Sequence, residues 1–60
     1  MTELSVLDLQ NLRHLIGSYE TSHCKMTTYA EQAQSPDVKQ LFQEAADSAW
    51  KHRQELMQFL

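Results

Sequence analysis

Staples are what this sequence most plainly lacks. Cys24 is the only cysteine among 60 residues, so neither an intrachain disulfide nor a Cys-x-x-Cys or Cys/His zinc arrangement can form. One glycine and one proline exclude a collagen-like chain, and 42% apolar against 22% charged residues excludes a disordered one. Basic charge is also scarce. Five scattered Lys and Arg face eight Asp and Glu, for a net charge of −3. No phosphate-binding face results, so neither nucleic acid nor an anionic membrane is an expected partner. No apolar run reaches the ~18 residues of a membrane span, and residues 1–5 carry no basic leader. A reduced, cytoplasmic setting is expected, where a lone thiol is uneventful. The chain has no internal repeat or low-complexity segment.

What is present is helical period. Leu4-Ser5 opens a first helix over 5–33. Ser5 is placed to cap it, Asp8 three residues on completes an acidic capping box, and Leu4 with Leu9 flanks the cap as a hydrophobic staple. Leu9, Leu12, Ile16, Tyr19, His23, Met26, Ala30 and Ala33 then recur at alternating intervals of three and four, the seam period of a bundle. Gly17 interrupts this arm beside the seam, as an exposed weak spot or as a point of close helix approach.

A turn at 34–35 follows, with Ser35 as N-cap, Pro36 at the first helical position and Asp37 against the positive dipole end. So short a connection requires the arms to lie antiparallel. The second helix, 36–60, repeats the seam with Val38, Phe42, Ala45, Ala49, His52, Leu56 and Phe59. Leu15, Tyr29, Trp50 and Met57 fall outside the seam and read as a second apolar strip facing a partner. A single core of this size supplies no more than ~3–5 kcal/mol without staples, so oligomerisation is the expected source of further buried area. One domain, 1–60, is expected: an all-α antiparallel helical hairpin that pairs with a second copy into a four-helix bundle. Its packing and interface positions are Leu12, Ile16, Tyr19, His23, Met26, Phe42, Ala49, Trp50, His52, Leu56 and Phe59.

Only Glu20 and His23, at i and i+3 on one helix face, have the look of metal chemistry. Di-iron carboxylate bundles combine such Glu-x-x-His pairs with further glutamates from neighbouring helices, and a symmetric dimer would double Glu20, His23 and Glu44. With Phe42 and Ala45 on the seam, however, Glu44 and Asp47 fall outside. A structural His23, half-buried and satisfied by a neighbour, is therefore expected, and no metal or other cofactor. Folding about the turn sets His23 level with Ala46 and His52 with Gly17, too far apart to share a metal. Tyr19 comes near the level of Trp50, where its hydroxyl would reach His52 in a polar pair that holds register, with a pH-sensitive interface as the alternative. Nucleophilic catalysis at Cys24 would need a base, an orienting group and an oxyanion site in a pocket, which two helices do not make. An inert thiol and no enzymatic activity are expected. His14 falls on the exposed face.

Leu4-Ser5 with Asp8-Leu9, then Thr28-Tyr29-Ala30-Glu31-Gln32-Ala33 into Ser35-Pro36, then an apolar arm ending in His52-Arg53, resembles the coat F family of endospore-forming bacteria over about residues 4–60. The resemblance implies a ferritin-like helical hairpin, a structural or assembly role in or near the spore coat, no established enzymatic activity, and a homodimer or other coat and helical proteins as partners. Many relatives carry a Glu-Glu-His cluster where this chain has Ala46-Asp47-Ser48-Ala49, so no functional site transfers. Two other functions stay open: a ferritin-like metal-binding dimer using Glu20 and His23, and a small helical adaptor whose Trp50 and Met57 bind another protein.

Overall fold

The computed structural model describes residues 4–60; the expected absence of a leader at residues 1–3 lies outside them. Two helices, α1 (Val6–Gln32) and α2 (Pro36–Met57), pack against each other, and the described residues contain no strand. The result is an elongated hairpin of 46 × 17 × 10 Å, one helix thick.

The start of α1 follows from its local sequence. The Ser5 hydroxyl accepts from the Asp8 N–H at 3.0 Å, and the Ser5 N–H donates to the Asp8 carboxylate at 3.3 Å, so the expected capping box is formed. At the other end Ala33 is extended, and its N–H closes the helix on the Tyr29 carbonyl at 2.9 Å. Pro36 opens α2 at its first turn, as expected. Ser35 occupies the N-cap position, but its hydroxyl makes no cap bond, contrary to the role expected of it; its carbonyl accepts the first helical bond, from the Lys39 N–H at 2.9 Å. The second helix stops at Met57 rather than at 60. Phe59 and Leu60 instead form turns that return their N–H groups to Leu56 and Met57.

Cross-helix contacts give the sense and the level of the two arms. The Tyr19 ring lies against His52 and the Tyr29 ring against Phe42, each pair 5.4 Å between centroids. His23 reaches Ala46, as the fold about the turn requires. The arms are therefore antiparallel and in step. Ile16, Ala30, Ala46 and Ala49 form the buried core, and the small side chains near the turn let the backbones approach closely.

All eight residues assigned to the α1 seam are buried or half-buried. The α2 seam is rotated from the expected one. Ala46 is buried more deeply than Ala45, Arg53 is half-buried, and His52 is exposed. Phe42, Ala46, Ala49, Arg53 and Leu56 therefore line the contact. Apolar pattern favours His52 over Arg53, but an arginine can lay its methylene stem along apolar surface, and the Arg53 side chain is only 18% exposed, with its guanidinium held by Glu20 and Gln54. The same rotation carries Val38 and Phe59 out of the seam, where both are exposed.

Candidate functional site

Two edges flank the α1 seam, each repeating every seven residues. Arg13, Glu20 and Thr27 mark one; Leu15, Ser22 and Tyr29 mark the other. Glu20 meets Arg53, and Arg53 meets Trp50, so the first edge shares a face with Trp50 and Met57. Leu15 borders a shallow apolar groove with Leu12 and Phe59, and Tyr29 stacks on Phe42, so the second edge shares a face with Val38, Ala45, His52 and Phe59. The strip expected to hold Leu15, Tyr29, Trp50 and Met57 together is thus two pairs on opposite faces.

The Trp50 face carries the densest polar cluster. Arg53 Nε donates to Glu20 Oε1 at 2.6 Å, and its Nη1 donates to Gln54 Oε1 at 2.7 Å. Its guanidinium carbon sits 4.6 Å from the Trp50 ring centroid, within cation–π range. The His23 ring lies 5.0 Å from the same indole, tilted by 45°. His23 Nδ1 is 2.9 Å from the Ala46 carbonyl oxygen. A carbonyl only accepts, so the proton is on Nδ1, and in the neutral ring Nε2 carries the lone pair. His23 thus takes the structural role expected of it, with a backbone carbonyl as its neighbour.

Glu20 and His23 are consequently committed to different partners, one to Arg53 and the other to the α2 backbone. Glu44 pairs with Gln40 on the outer surface. Among the described residues no three His, Cys, Asp or Glu side chains gather as a metal set. His52 makes a ring contact with Tyr19 and an ion-pair distance of 3.7 Å to Glu55, in place of the expected hydroxyl bond. Cys24 and His14 are exposed. Ser18, Thr21, Thr27 and Thr28 donate their hydroxyls back to carbonyls one turn earlier in α1. Gly17 has open space where a side chain would stand, so no helix approaches it.

No known protein family, curated protein or solved structure matches the chain. Function must therefore be argued from the geometry. That geometry is a clasp: Glu20, His23, Trp50 and Arg53 tie α1 to α2. Sequence reasoning missed Arg53. Its signal was present in the spacing, three residues after Trp50 and seven after Ala46, which puts it on their side of α2. No helix among the described residues is long and apolar enough to cross a membrane.

Proposed function

We propose that this chain is a non-enzymatic structural protein that works by self-association, two hairpins pairing into a four-helix bundle, in an assembly role of the spore-coat kind that its resemblance to the coat F family implies. Unpartnered surface is the observation that carries this reading. A compact monomer of 7.0 kDa would expose about 4,000 Å² by size scaling, whereas the hairpin exposes 4873 Å². The excess, about 800 Å², is near what each partner contributes to a stable interface of standard size. Much of that surface is apolar. Leu15, Tyr29, Val38, Leu41 and Phe59 are all more than two-fifths exposed, on a body whose buried core among the described residues is four side chains. A second copy would supply the missing layer.

Light scattering coupled to gel filtration tests the reading. The expected mass is twice 7.0 kDa, with a melting temperature that rises with protein concentration because association stabilises the fold by mass action. A stably folded monomer would overturn it.

A further inference from the structure

Resting on that self-association, we infer that the two copies meet through the Leu15 face, about a two-fold axis passing at Ser22, and that the Trp50 face stays outside the contact. An interface of this symmetry must be complementary to itself. The Leu15 face meets that condition. Leu15 and Tyr29 stand seven residues to either side of Ser22 on one edge of α1, about 10 Å each way at 1.5 Å per residue. On α2, the contacts Tyr19–His52 and Tyr29–Phe42 put Val38 level with position 33 and Phe59 level with position 12, eleven and ten positions from Ser22. Rotation about Ser22 therefore lays Leu15 of one copy on Tyr29 of the other, and Phe59 on Val38. Ser22 and Ala45 share the middle with His52, and the bulky Leu15, Tyr29, Val38 and Phe59 stand at both ends.

The centres of the two faces differ in charge. Leu15, Ser22 and Tyr29 on α1, with Val38, Ala45 and Phe59 on α2, are uncharged; the same two lines add His52 and, at the outer end beside Leu15, the carboxylate of Asp8. The equivalent lines on the other face carry Arg13 and Glu20 on α1, with Gln43, Trp50 and Met57 on α2. There, a two-fold axis at the level of Glu20 would set that carboxylate against its own copy, an arrangement that disfavours association. Arg53 and His23 already contact the Trp50 ring, and the groove beside it is lined by the charged Asp47 and Lys51, whereas Leu15, Leu12 and Phe59 border a mostly apolar groove.

Site-directed crosslinking of the full chain tests the axis without depending on a destabilising change. In a Cys24→Ser background, Ser22→Cys should oxidise to a covalent dimer, because the axis brings position 22 beside its own copy, while Arg13→Cys on the opposite edge should not. In parallel, Leu15→Glu combined with Tyr29→Glu should weaken dimerisation on the order of 100-fold, and Trp50→Gln should leave the dimer mass unchanged. A wild-type dimer in which Arg13→Cys crosslinks and Ser22→Cys does not, or in which neither does, overturns the assignment of the face and axis while self-association stands. A folded wild-type monomer by light scattering overturns the self-association itself.

Discussion

Trp50 and Leu15 are exposed to almost the same extent, 43% and 45%, yet they sit in opposite situations. The indole contacts two polar side chains of its own chain, the guanidinium of Arg53 at 4.6 Å and the His23 ring at 5.0 Å. Leu15 borders a groove with Phe59 that stays open. Exposure by itself does not mark a docking surface. What separates the faces is the chemistry of the neighbours that the chain offers, a cation and an imidazole for the indole on one side and the apolar Leu12 and Phe59 beside the leucine on the other.

This contrast can be attacked at its root, because both faces rest on one small core. Ile16 lies buried beneath them, and Ile16→Asp would place an unpaired carboxylate there at a cost of several kcal/mol. That exceeds what a core of this size supplies, so far-UV circular dichroism should report loss of most helical signal. Persistence of a native spectrum would mean the faces do not depend on a common core.

A smaller effect is expected on the Trp50 face alone. Arg53→Ala removes the Glu20 pair, worth at most about 1 kcal/mol because Glu20 is half exposed. It also removes the cation–π contact, worth about 0.5–1 kcal/mol. A total near 1–2 kcal/mol should lower the melting temperature by roughly 4–8 °C per kcal/mol. The mass in solution should not change; a shift to monomer would place the partner contact on this face instead. A double-mutant cycle with Glu20→Ala should return a coupling below about 1 kcal/mol.

Two further changes touch neither face and provide the baseline. Ser5→Ala removes the capping hydroxyl at the free end of α1 and should cost about 1 kcal/mol by thermal melting. Gly17→Ala should stabilise by about 0.5–1 kcal/mol, since the helix there is regular and the added methyl meets open space. Destabilisation by Gly17→Ala would reveal a close approach at that position, and so a third surface in use.

Legibility in the sequence varied with the range of the interaction. Ser5 and Asp8 are three residues apart, and their capping box was readable. The α1 seam was readable because apolar or small residues and one histidine occupy every position of a single phase. On α2 two phases competed, one through Ala45 and His52 and the other through Ala46 and Arg53. Pattern recognition, which counts arginine as polar, selected the first. Packing selected the second, because the Arg53 stem fills the seam while its guanidinium reaches Glu20, 33 residues away in the chain. The level of His23 against Ala46 was readable from the position of the turn; the hydrogen bond that joins them was not.

By itself, then, the sequence determined two helices, where each begins, and the single reversal that makes them antiparallel, because capping, the Pro36 start and heptad spacing are settled within a few residues. Only the tertiary structure decided how far α2 is rotated about its own axis. That rotation depends on the sum of contacts along the whole seam, and a turn between neighbouring edges separates Trp50 and Met57 from Leu15 and Tyr29. The division of the hairpin into a face whose tryptophan has polar partners and a more apolar face follows from it.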